Sequence, residues 1–142
     1  WGNGPASIRY GVNANITSTQ VRNLTVNMNV QLVDGQVYME TTGRDDNGDG
    51  FFNDRPAGVG IWTLRGDGRE TLNLRVAYAI ALGGGTPAQP RYRISPFLQI
   101  NNLTNHANYT GYNGIVSSGD RFMQPTNVIN PRQITSGFSL SF

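Results

Sequence analysis

Five stretches of the chain alternate apolar and polar residues with period two. The last of them, residues 133–142, shows the pattern most plainly. Ile134, Phe138, Leu140 and Phe142 fall on one parity, and Gln133, Thr135, Gly137, Ser139 and Ser141 on the other. Side chains of a strand point alternately to opposite faces, so each stretch is predicted as a strand with one apolar and one polar face. Residues 6–18 set Ile8, Tyr10, Val12, Ala14 and Ile16 against Ser7, Arg9, Asn13, Asn15 and Thr17. Residues 23–42 open with Leu24, Val26, Met28, Val30 and Leu32; beyond Asp34-Gly35 the apolar residues Val37 and Met39 change parity. A bulge at the glycine or a true turn explains that change. Residues 70–82 carry Leu72, Leu74, Val76, Tyr78, Ile80 and Leu82, and residues 91–103 carry Tyr92, Ile94, Leu98 and Ile100. Pro96 lies inside the latter, which predicts a local edge or a bulge. The even-numbered apolar residues of all five strands are expected to share one face.

No stretch has a helical period, so the predicted class is all-β. The expected architecture is an antiparallel meander of about five long strands, a partial barrel with two long loops, forming a single domain over 1–142. Connections alternate short and long: 19–22, then 42–69, then 83–90, then 104–132. Short turns at one end and long loops at the other is the asymmetry of outer-membrane barrels. Five strands at ~4.8 Å spacing, ten residues tall, present an apolar face of roughly 800 Å². The largest such patch on a typical soluble monomer is about 300–600 Å². No segment reads as a helix able to cover it, and single-chain membrane barrels start at about eight strands. Lipid, further copies of the chain, or folding into a sandwich would each cover the face. A short strand hidden at 113–117 would favour the sandwich.

Composition narrows the chemistry. Only 14% of residues are charged, against about 25% in ordinary soluble domains. All eleven basic residues are arginines scattered from Arg9 to Arg132, without a basic block, which argues against nucleic acid. Lysine, a common guard of sheet edges, is absent. Cysteine is absent too, which excludes disulfides and thiolate chemistry. The chain opens on Trp1, with no signal peptide in view, and is read as a processed or excised product.

One loop has metal-like spacing. Asp45, Asn47 and Asp49 alternate before Gly50, as in calcium loops; Phe51 would add its carbonyl, and Asn53 and Asp54 further oxygens. Pro56 stands where the bidentate glutamate belongs. The competing reading is a hydrogen-bonded turn rich in Asx residues, with no metal. His106, the only histidine, has no Cys or second His to join it, and no serine nucleophile elbow is present. Nothing in the chain calls for an enzyme. Asn15, Asn23, Asn102 and Asn108 stand in Asn-x-Thr sequons and are read as polar-face residues.

Three stretches together resemble the C-terminal end of TonB-dependent outer-membrane receptors, in the group with a carboxypeptidase-regulatory-like domain. They are Thr42-Gly43-Arg44 through Asn53-Asp54-Arg55-Pro56-Ala57-Gly58-Val59-Gly60; Asn102-Leu103-Thr104-Asn105-His106-Ala107-Asn108-Tyr109; and Pro131-Arg132 leading to Phe142. Thr104 replaces the usual aromatic, and Ile61-Trp62 replaces the family's Arg-Asn. The resemblance implies a 22-stranded barrel, a plug and import energised through TonB; these 142 residues are read as strands for less than a quarter of such a barrel, with no plug or TonB-contacting segment among them.

Three functions are therefore expected in order. The first is a structural subunit, extracellular, that self-assembles into a homo-oligomeric tube or fibre by strand-edge pairing, residues 6–18 being the natural acceptor for the strand of Phe142 from another copy. The second is a C-terminal barrel segment of a transporter in the outer-membrane lipid of a Gram-negative-type bacterium. The third is a soluble calcium-binding β-sandwich.

Overall fold

A computed structural model describes Gly4, residues 7–86 and residues 89–142. The chain is all-β, with 53% strand and no helix of seven residues or more. The strands are β1 (Gly11–Ser18), β2 (Leu24–Val33), β3 (Val37–Tyr38), β4 (Leu64–Arg65), β5 (Arg69–Tyr78), β6 (Ile80–Thr86), β7 (Gln89–Asn101), β8 (Asn108–Tyr112), β9 (Pro125–Ile129) and β10 (Gln133–Ser141). A 3-10 segment, Val116–Arg121, separates β8 from β9.

The chain groups into two compact units. The first comprises Trp1–Val12, Leu32–Glu70 and Ala107–Ile129; the second comprises Asn13–Gln31, Thr71–His106 and Asn130–Phe142. The long strands form one sheet in the order β1-β2-β5-β7-β10, with β6 also on β7. This is the antiparallel meander, and it is not closed into a barrel.

Register confirms the shared parity where β5, β6, β7 and β10 meet. Ile134 lies opposite Ile100, Leu140 opposite Ile94, Val76 opposite Leu98, Leu74 opposite Ile100 and Leu82 opposite Tyr92. Even residues oppose even residues, so the apolar set stays on one face.

Several strand limits differ from expectation. Strand structure begins at Gly11, not at residue 6; Ala6 lies outside the described residues. The second predicted strand neither bulges nor turns back at Asp34-Gly35. It stops at Val33, and Val37–Tyr38 pairs instead with Leu64–Arg65 in a separate small sheet. The connector predicted over 83–90 is largely strand, because β6 runs to Thr86 and β7 starts at Gln89; residues 87–88 lie outside the described residues. Gly83 takes the strain there, with φ +76°, beside a register shift between Leu82 and Gly85. Pro96 stands at a local edge, as expected, and not in a bulge: it pairs with Phe138 on one side, and on the other the ladder is interrupted. β7 has β10 on one side and β5 and β6 on the other. Pairing lapses between Ala77 and Ile80, yet both strands advance three residues and the register continues. The proline removes a donor without displacing the strands.

The predicted loops are not structureless. Residues 113–117 do not form the expected hidden strand; β8 and β9 form an antiparallel ladder on either side of them. Thr41 bridges Ile115, and the Thr41 and Val116 amides donate to Gly114 and Thr41 carbonyls. Residues from both long loops thus belong to the first unit.

Candidate functional site: an open sheet face and its edges

Many apolar side chains of the sheet are exposed, while those along most of β2 and the middle of β5 are half-buried. Val12, Ile16, Tyr78, Ile80, Leu82, Tyr92, Leu98, Ile134, Phe138 and Leu140 are all exposed, with Phe138 at 72% and Ile134 at 66%. Val37, in the first unit, is the only buried hydrophobic residue among those described. In an ordinary domain these Ile, Leu and Phe side chains would be the core.

The opposite face is closed by its own hydrogen bonds. Asn27 Nδ2 donates to Thr17 Oγ1 at 3.0 Å, and Asn29 Nδ2 to Asn13 Oδ1 at 3.1 Å. Asn73 Nδ2 reaches Asn29 Oδ1 at 3.5 Å, Arg75 Nη1 donates to Gln99 Oε1 at 3.1 Å, and Gln99 Nε2 to Asn101 Oδ1 at 3.1 Å. Every residue in this set is odd-numbered, as the period predicts. Phe97 is also odd. The Arg75 guanidinium stands 3.9 Å from its ring centre, and a Cβ on Gly137 would come within 3.0 Å of the ring. The glycine leaves room for an aromatic on a polar face, and the cation shields it.

β1 and β10 end the strand order, so each has one side without a strand partner among the described residues. Neither contains a charged residue or a proline. Natural edges usually carry such guards.

The acidic loop takes the hydrogen-bonded form. Asp45 Oδ1 accepts the Gly48 and Asp49 amides at 2.7 and 3.0 Å, and its Oδ2 accepts the Gly50 amide at 2.9 Å. Asn47 Oδ1 accepts the Asp49 amide, Asp49 Oδ1 the Phe51 amide, and Asp54 Oδ2 the Asp46 and Asn47 amides. Asn53 and Phe51 are exposed. These side-chain oxygens accept backbone N–H groups of the loop, and Asp49 Oδ2 accepts Asn47 Nδ2 at 3.1 Å. Among the described residues no group of three or more His, Cys, Asp or Glu is arranged to hold a metal ion.

Sequence reasoning missed the polar centres that hold the connections. Asp34, 4% exposed, accepts the Arg9 amide at 3.0 Å and Arg9 Nε at 3.1 Å, and it pairs with Arg65 Nη1. Arg65 also donates to the Gly35 carbonyl at 2.7 Å. The hydrogen bond from the Arg9 side chain is the chief reason the Asp34 carboxyl is held down to about 2; burial opposes it, and the Arg9 amide and the Arg65 charge reinforce it. Tyr38 stacks on Tyr112 at 5.2 Å, and the Tyr112 hydroxyl donates to Asp67 Oδ2 at 3.1 Å. Burial pushes both phenols above their ordinary range. Two of the sequon asparagines are structural. Asn102, 1% exposed with φ +51°, donates from Nδ2 to the His106 and Asn130 carbonyls at 2.9 and 2.7 Å. Asn108 is fully buried, and its Oδ1 accepts the Glu70 amide at 2.8 Å. In the sequence both stood in sequons and in the 102–109 stretch of the resemblance, with nothing to mark their burial.

No family model matches the chain, and no curated protein or solved structure matches it.

Proposed function

We propose that the sheet is a segment of β-barrel wall of the outer-membrane receptor type, with its even-numbered face against lipid and its odd-numbered face toward the lumen. The observation that supports this reading is the uncovered apolar face, running from Val12 on β1 to Leu140 on β10. Edge pairing alone would satisfy backbone groups but leave that face in water. Lipid covers it without any further protein layer. The strand lengths agree: β2 and β5 have ten residues and β10 nine, where a tilted transmembrane strand needs about 9–11. A polar, hydrogen-bonded inner face is the ordinary lining of such barrels. The motif resemblance to TonB-dependent receptors points the same way and gives the location, the outer membrane of a Gram-negative-type bacterium. The role is structural, not enzymatic.

A second reading keeps the wall but builds it from copies of this chain, as an extracellular tube or fibre. Its support is the pair of unguarded edges. Reconstitution with phospholipid vesicles separates the two. The barrel reading expects protease cleavage confined to residues 34–68 and 102–132, with β2, β5, β7 and β10 protected only when lipid is present. Protection in detergent-free buffer, within large particles, favours the second reading and overturns the first.

A further inference from the structure

Charge is divided unevenly between the two units. All nine acidic residues of the chain lie in the first unit. The second carries Arg22, Arg75, Arg91, Arg93 and Arg132 and no Asp or Glu. Its cations have no carboxylate within their own unit, and among the described residues the only ion pairs are those of Asp34. A surface lined by one sign of charge concentrates ions of the other. The arginines are not equally free to use that charge. Arg75 donates to Gln99 and lies over Phe97, and Arg91 lies 5.4 Å from the ring centre of Tyr92. Arg93 has no such partner among the described residues and borders a cavity of about 250 Å³.

That cavity lies at the short-turn end of the odd face. Thr19, Asn23, Thr25, Ala79 and Ala81 line it beside Arg93. The Ala79 amide donates to the Asn23 carbonyl at 2.7 Å, which ties the turn after β1 to the bend between β5 and β6. Across its two ladders Arg93 faces Ala81 on one side and Ser141 on the other, side chains too short to cover a guanidinium. The two threonine hydroxyls and the Asn23 amide add neutral donors around the one cation. The volume falls below the 300–1,000 Å³ of pockets for drug-sized ligands, and suits a group of a few heavy atoms.

We infer that this cavity binds an oxyanion, the phosphate or carboxylate group of a small solute, with Arg93 as its bidentate partner. A planar guanidinium matches either group with two parallel hydrogen bonds, and no acid of the same unit repels the charge. The inference rests on the reading of the odd face as the lumen side, and it names the class of solute which that wall would hold.

The chain contains no cysteine, so single spin labels report cleanly. Full-length Ser95→Cys and Asn15→Cys chains are labelled in phospholipid bilayers. Residue 95 lies two positions from Arg93 on the same face of β7, and residue 15 lies on β1, at the far end of the strand order. Collisions with the chromium oxalate trianion are compared with collisions with a neutral nickel chelate. The expected chromium-to-nickel ratio is several-fold higher at 95 than at 15. Arg93→Gln should remove most of that excess, and inorganic phosphate at constant ionic strength should lower it at 95 alone. Equal ratios at the two sites, or an excess that survives Arg93→Gln, overturn the inference while leaving the barrel wall standing. An excess that phosphate leaves unchanged also overturns it, because a diffuse field and not a bound oxyanion then accounts for the ratio. Exclusion of both reagents from residue 95 overturns the lumen reading and the cavity's role with it.

Discussion

The sheet and the unit formed from the long connections are held together in different ways. The sheet has a long ladder, a polar face bonded to itself, and an apolar face bonded to nothing. The first unit has only short ladders, and its most buried side chains are Asp34, Val37 and Asn108. It depends on individual contacts: Asp34 with two arginines, Tyr38 on Tyr112, and Gly35 and Gly66 in close backbone approach. A periodic element repeats its contacts along the ladder and leaves its apolar face exposed. A unit built from specific contacts is more exposed to the change of single residues.

That contrast breaks most readily under a charge on the apolar face. Leu98→Lys should cost about 2–4 kcal/mol in phospholipid bilayers, the range for a basic residue near the bilayer midplane of a barrel. In detergent-free buffer the same substitution at this exposed site should change stability by less than about 0.5 kcal/mol. Equal losses in both media would mean that protein, not lipid, covers the face.

Gly66→Ala attacks the other region. A Cβ there would lie 2.1 Å from a Tyr112 ring carbon, so the Tyr38–Tyr112 stack must open. The expected loss is about 1–3 kcal/mol, typical of overpacking, seen in the near-ultraviolet tyrosine signal while the far-ultraviolet strand signal persists. Simultaneous loss of both signals would merge the two regions into one cooperative unit.

Asn102→Ala leaves the His106 and Asn130 carbonyls without their donor and should cost about 1–2 kcal/mol. Asn15→Ala, at an exposed position in the same kind of sequon, should stay within about 0.5 kcal/mol in a denaturant titration. Similar values for the two would remove the structural role assigned to Asn102.

The smallest effect at neutral pH is that of Asp34 titration. Its carboxyl is lowered in the folded chain to about 2, from about 3.9 when unfolded. Its stabilising contribution is therefore complete above about pH 4 and is lost as the pH falls through about 2. Acid unfolding of the first unit should show that late step, and Asp34→Asn should abolish it. An unchanged acid profile in the variant would place the step elsewhere.

What was legible in the sequence follows the same division. Period two identified β2, β5, β7 and β10 and the shared even face, because a half-polar sheet writes its pattern on every second residue. Two-residue strands such as Val37–Tyr38 and Leu64–Arg65 leave no period to read. The Asp34 cluster joins residues 25 and 31 positions apart, a separation no local pattern encodes. Gly83 to Thr86 read as a turn by composition, yet pairing with β7 overrode that preference. The alternation of Asp45, Asn47 and Asp49 was legible, but the same spacing suits amide-bonded turns.

The central claim, that lipid covers the even face and the odd face lines an aqueous space, is tested most directly by spin labels on single cysteines at Ile94, Ser95, Ser139 and Leu140 in bilayers. The account predicts high oxygen and low nickel-chelate accessibility at 94 and 140, and the reverse at 95 and 139. Uniform accessibility along the strands, or nickel reaching the even positions, would contradict it.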